Sequence, residues 1–212
     1  MEWCALSKGA KAKYVFIFGI LNLLSYFVIQ NYVTSHEYDL MTALDEAIPL
    51  MPEYVWIYHS IVPVIAVTMI SLLRARRLFF ITMWACVIAT VTLNLFYYFF
   101  PSFYPRTDFI IDGFSDLILQ VTREVDGANN TFPSGHVCFA WLMFWAVYYS
   151  KVAKQLKGIK SLYLLWAIGV SLSTLVLKQH YVVDVISGAS LATTCFFISK
   201  PAIEYFNFYA EQ

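Results

Sequence analysis

Leu78-Phe-Phe-Ile-Thr-Met-Trp-Ala-Cys-Val-Ile-Ala-Thr-Val-Thr-Leu-Asn-Leu-Phe-Tyr-Tyr-Phe-Phe100 runs for 23 residues without a charged side chain, directly behind Arg74, Arg76 and Arg77. A helix rising about 1.5 Å per residue needs about 20 apolar residues to cross the roughly 30 Å hydrocarbon of a bilayer. This block therefore reads as a membrane span, and it is not alone. Working outward, residues 14–33 and 54–73 precede it, and 134–150, 161–177 and 181–199 follow, the fourth and fifth spans lying near the lower length limit. Only Lys178, Gln179 and His180 separate the last two, enough for a tight turn between antiparallel helices.

The composition agrees. Hydrophobic residues make up 60% of the 212 and charged residues 13%, against about 45–50% and about 25% in soluble domains. One membrane domain covering 1–212 is expected, all-α, as a bundle of six transmembrane helices. The net charge of zero gives no footing for nucleic acid. Cys4, Cys86, Cys138 and Cys195 form no CxxC pair, so neither a metal site nor a disulfide framework is expected. The first apolar block lacks a small-residue cleavage site and reads as a span rather than a cleavable leader.

Basic residues orient the bundle. Lys8, Lys11, Lys13, Arg74, Arg76, Arg77, Lys151, Lys154, Lys157, Lys160 and Lys200 fall on one side of a six-span arrangement. Arg106, Arg123 and Lys178 fall on the other. Both termini are therefore expected in the cytoplasm. The opposite face carries Asp39, Asp45, Asp126 and other acids, read as solvated loop charges, and the longest link, about 101–133.

Three segments carry chemistry, all at that outer face. Pro133-Ser134-Gly135-His136 opens the fourth span. The free N–H groups of a helix start favour an anion, glycine allows close approach, and His136 lies within the first turn. Alone, this also fits a simple capped helix start. His180 and Asp184 are four apart, on one helical face, where a carboxylate can orient an imidazole. Alone, this also fits a structural pair. Arg106 follows the third span, and its guanidinium fork matches phosphate oxygens or lipid headgroups. Together these groups suit phosphoryl transfer without a metal. His59 reads as a hydrogen-bonded helix residue, Arg123 as a loop charge, and Asn129-Asn130-Thr131 as a glycosylation pattern too close to the site to be used.

Pro133-Ser134-Gly135-His136 followed by His180-Tyr181-Val182-Val183-Asp184 resembles the type 2 phosphatidic acid phosphatase superfamily, from about the third span to the sixth. That superfamily includes lipid phosphatases, lipid phosphotransferases and the soluble vanadium haloperoxidases. The resemblance implies a six-helix membrane fold with its active site at the outer, periplasmic face. It implies His180 as the nucleophile that becomes phosphohistidine, Asp184 as its orienting partner and His136 as general acid. Ser134 and Gly135 would cradle the phosphate, and Arg106 would bind it.

Two positions depart from the family pattern. Phe99 stands where a lysine is usual, seven before Arg106, and Thr174 where an arginine is usual, six before His180. Lys178 is the candidate to replace one of these cations. The Lys178-Gln179-His180-Tyr181 pattern is similar to the branch related to inositol phosphorylceramide and sphingomyelin synthases. The activity implied is hydrolysis of a lipid phosphomonoester or diphosphate in a bacterial inner membrane, with no cofactor or metal. Transfer of a phosphoryl or phospho-headgroup to a second lipid is the alternative. A transporter, or a catalytically silent binding relative, would be a reading of another class.

Overall fold

The computed structural model describes residues 6–35, 37–106 and 108–210, with side chains as far as Ala202; Cys4 lies outside the described residues. Helix α1 (Lys8–Tyr32) starts at Ser7, whose hydroxyl accepts from the Ala10 N–H. Strand β1 (Tyr38–Asp39) and α2 (Ala43–Ala47) follow, then a helical rod from Pro52 to Leu72 made of a short 3-10 turn, α3 (Val55–His59) and α4 (Ile61–Leu72). After α5 (Arg76–Phe99) come β2 (Ser102–Phe103), α6 (Phe114–Asp126) and α7 (Gly135–Tyr148). The chain closes with α8 (Val152–Gln155), α9 (Ile159–Val176) and α10 (Val182–Ala210).

Among the described residues, five helices are long and apolar enough to cross a membrane: Lys8–Tyr32, Pro52–Leu72, Arg76–Phe99, Ile159–Val176 and Val182–Ala202. The expected fourth span is a shorter helix of 14 residues, Gly135–Tyr148. At about 1.5 Å per residue it reaches about 21 Å. The described chain is thus a mostly helical membrane protein.

Helix α7 is the hub. It packs on α9, α10, α5 and α4, and its Val137, Cys138, Ala140, Leu142 and Met143 are wholly buried. Gly188 lets α10 lie against the start of α7, because a Cβ there would meet the Ser134 carbonyl oxygen at 2.6 Å. Helix α1 packs chiefly on α5 and leaves most of its length to the surroundings.

Two features depart from an all-helical bundle with a plain loop at 101–133. Strands β1 and β2 pair in parallel, Tyr38 with Ser102 and Asp39 with Phe103. The loop also contains α6, with Phe114, Leu117, Ile118, Val121 and Val125 on one face and Asp116, Gln120 and Glu124 on another. Apolar residues at i, i+3, i+4, i+7 and i+11 are the mark of an amphipathic helix, and that signal is present in the sequence.

The acids expected as solvated loop charges are not all so. Asp45 is buried; its Oδ1 accepts from the Val182 N–H at 2.7 Å and so caps α10, while Oδ2 accepts from the Thr42 N–H at 3.0 Å. Asp39 accepts from the Tyr181 hydroxyl at 2.7 Å. The loop between α1 and α3 therefore fixes the start of the helix that follows His180, satisfying donors that a helix end leaves open.

Candidate active site

The segment from Gly127 to Ser134 is tied to other parts of the chain through several of its backbone groups. Gly127 O accepts from Arg106 Nη2, Ala128 O from the Tyr104 N–H at 2.9 Å, and Thr131 O from His180 Nδ1 at 2.8 Å. Pro133 O accepts from the Tyr97 hydroxyl at 3.0 Å, and the Ser134 N–H donates to Asp184 O at 3.0 Å. Ser102 Oγ anchors the middle of this segment, accepting from the Phe132 N–H and the Thr131 hydroxyl, both at 2.8 Å. Asn129 Nδ2 donates to Val33 O at 2.8 Å, which occupies the amide of the glycosylation pattern.

The contact to Thr131 fixes the chemistry of His180. A backbone carbonyl can only accept, so Nδ1 carries the proton and Nε2 keeps its lone pair. Asp184 Oδ2 lies farther off, 3.5 Å from His180 Nδ1, and accepts instead from the Tyr181 N–H at 2.8 Å. The orienting group in closest contact with His180 is therefore the Thr131 carbonyl, with Asp184 behind it as a charge at the helix start. No spacing rule reveals that carbonyl.

His136 stands across from His180, the ring centroids 6.4 Å apart. Tyr58 stacks on His136 at 4.1 Å, and its hydroxyl is 3.2 Å from His136 Nδ1 and 2.7 Å from Asp126 Oδ2. A carboxylate only accepts, so the Tyr58 proton points to Asp126 and the Tyr58 oxygen faces the imidazole. The Tyr26 hydroxyl donates to Asp126 Oδ1 at 2.6 Å. Burial raises the Asp126 pKa, but nearby His136 and the two tyrosine hydroxyls outweigh it and hold the carboxyl below its ordinary range. Tyr26, Tyr58 and Asp126 were not legible as site residues.

A cavity of about 540 Å³ joins these groups. His136, His180, Gly135, Arg106, Asp126, Asn130 and Gln179 line one part. Leu23 and Phe27 of α1, Val62 and Ile65 of α4, Leu93 of α5 and Val121 of α6 line the rest, which is mostly apolar.

The expected site residues are distributed as follows. His136, His180, Gly135 and Arg106 share the cavity. Arg106 gives Nη1 to Lys178 O at 2.8 Å and Nη2 to Gly127 O, so its fork also braces the two segments that carry the site. Ser134 is buried behind the lining, its hydroxyl capping α7 by accepting from the Val137 N–H. Lys178 does not line the cavity; its Nζ donates to Asp45 O at 2.6 Å. Its backbone, at φ 54°, turns the chain between α9 and α10. Arg123 is a brace rather than a solvated charge, donating to Leu177 O at 3.1 Å and lying 4.9 Å from the Phe109 ring centre. Burial, then the nearby Arg106, lower its pKa to about 10. His59 bonds the Thr122 hydroxyl at 2.8 Å and lines the cavity.

No curated protein and no solved structure matches the chain. Residues 101–208, just over half of it, match the PAP2 superfamily, the type 2 phosphatidic acid phosphatase group. The matched stretch runs from β2 through α6, α7, α8 and α9 into α10, and so takes in both histidines and the loop before α7. By that match the chain belongs to the PAP2 superfamily.

Proposed function

We propose that this protein transfers the phosphoryl group of a membrane lipid through a covalent intermediate on His180. The observation that carries the reading is the pair of imidazoles facing one cavity, His180 with its Nδ1 proton given to Thr131 and His136 with its ring 6.4 Å away. That gap is about two hydrogen-bond lengths, enough for one phosphoester to be reached from both sides.

His180 Nε2 attacks phosphorus, and the bond to the leaving oxygen breaks as His136 protonates it. Tyr58, held by Asp126, accepts from Nδ1 of His136, so that the protonated ring turns its Nε2–H to the leaving oxygen. Arg106 and the first N–H groups of α7 stabilise the phosphoryl oxygens. Asp184 offsets the charge that develops on His180. Water, or the hydroxyl of a second lipid, then takes the phosphoryl group, giving hydrolysis or transfer.

The apolar part of the cavity supports a lipid substrate, since acyl chains can lie between α1 and α4 while the phosphate reaches the histidines. Six spans with α7 as the short fourth, cytoplasmic termini and an outward-facing site fit the basic-residue pattern, and a bacterial inner membrane fits the compact loops. The chemistry proposed needs no metal. The direct test is turnover of radiolabelled lipid phosphates by purified protein and by His180→Ala; equal turnover by the two would end the reading.

A further inference from the structure

Two buried amides flank the hydrogen bond that orients His180. Asn130 directly precedes Thr131, the acceptor, and Gln179 directly precedes His180, the donor. Both line the cavity, and they are 4% and 3% exposed. Neither polar atom of the Asn130 amide has a hydrogen-bond partner, nor has Gln179 Nε2, nor Arg106 Nε in the same lining. Buried donors left unpaired are costly and uncommon, and each calls for an explanation. The backbone holds both in place: Asn130 sits at φ 60°, and the Gln179 N–H donates to Thr174 O at 3.0 Å.

Charge at the site sets what these donors suit. Among the described residues lining the cavity, Arg106 is the one lysine or arginine and Asp126 the one carboxylate, so with His136 protonated as the general acid and His180 neutral the side-chain charges sum to +1. The two positions where the family pattern has cations do not add to it. Phe99 is an exposed apolar ring, and Thr174 is a buried hydroxyl bonded to Ser171 O. A phosphomonoester carries about −1.5 to −2 near neutral pH. A phosphodiester carries a single charge, which a net charge of +1 and neutral amide dipoles match.

We propose that Asn130 and Gln179 form a neutral amide cradle for phosphate oxygens, and that this cradle selects phosphodiester lipids over phosphomonoesters. The proposal rests on the lipid phosphoryl chemistry above and names its substrate class. In the first step a bond forms between His180 Nε2 and phosphorus, one P–O bond breaks, and the departing alkoxide takes the proton of His136. In the second, a hydroxyl of water or a lipid alcohol attacks phosphorus. The P–N bond breaks as that hydroxyl's proton passes to His136.

The test uses the purified full chain in bilayer nanodiscs and two lipids with identical acyl chains. One carries a phosphomonoester, the other a phosphodiester to a small neutral alcohol, and each is assayed with and without diacylglycerol as acceptor. The expected kcat/KM favours the diester by about tenfold or more. Gln179→Leu is expected to lower diester turnover by about tenfold to hundredfold, and Gln179→Lys to move the ratio toward the monoester. A wild-type preference for the monoester, which needs no variant to measure, overturns the proposal. So does a Gln179→Leu protein with an unchanged ratio. In either case turnover that still depends on His180 leaves the phosphoryl-transfer reading standing. Consumption of neither lipid, with no adduct on His180, overturns both.

Discussion

The Thr131 carbonyl oxygen accepts the Nδ1 proton of His180 at 2.8 Å, across 49 residues of chain. This contact joins the loop before α7 to the turn before α10, and it leaves Nε2, the attacking atom of the proposed mechanism, without a proton. Because the acceptor is backbone, its strength depends on how firmly residues 127–134 are held.

Ser102 is the test of that grip. Ser102→Ala leaves the Thr131 hydroxyl and the Phe132 N–H without their buried partner. An unmet buried polar group costs roughly 1–3 kcal/mol. The expected outcome is a lower melting temperature together with a kcat loss of about tenfold, read by thermal melting in detergent and by steady-state kinetics. An unchanged kcat would show that the Thr131 contact does not orient the nucleophile.

Tyr58 connects Asp126 to His136 through one hydroxyl. Tyr58→Phe removes that oxygen and keeps the ring that stacks on the imidazole. General acid catalysis contributes about 10² to 10⁴ in rate, and loss of the positioning contact should remove about tenfold to hundredfold of kcat with little change in KM. A larger effect on KM than on kcat would assign Tyr58 to binding instead.

The fold was legible because its signal is local. Apolar blocks such as 78–100 need no knowledge of neighbours, and among the described residues five helices long and apolar enough to span follow them. His136 and His180 were legible because their neighbours in sequence carry the family pattern. Asp126 was not: its partners Tyr58 and Tyr26 lie 68 and 100 residues away. Helix α6 was missed since its apolar face is interleaved with Asp116, Gln120 and Glu124, so that no apolar run stands out. Lys178 shows the limit of proximity in sequence. Two residues from His180, it is directed by its φ of 54° and its bond to Asp45 O to the loop between α1 and α3.

Acid stability should report on Asp126. Its folded pKa lies below the unfolded value of about 3.9. The carboxylate therefore adds stability above about pH 4, and that stability is lost as pH falls through the folded pKa. Asp126→Asn is expected to melt at lower temperature at pH 7 and to lose less on acidification toward pH 3 than the unsubstituted protein. Parallel melting curves across that range would contradict the assignment.

Gly188 is the steric test of the hub. In Gly188→Ala the new methyl would lie 2.6 Å from the Ser134 carbonyl oxygen and 3.3 Å from Val137 Cβ. Overpacking of this kind costs about 1–3 kcal/mol. Because the atom met is backbone at the start of α7, activity should fall with stability. Gly19→Ala, with nothing within 4 Å of the added carbon, is the matched control and should melt at least as high.

The central claim is a phosphoryl group carried by His180, and rapid quenching of the purified protein with a radiolabelled lipid phosphate tests it most directly. The account predicts an acid-labile, base-stable protein adduct that maps to His180, forms within one turnover and is absent from His180→Ala. Turnover without any adduct, or an adduct that persists in His180→Ala, would contradict it.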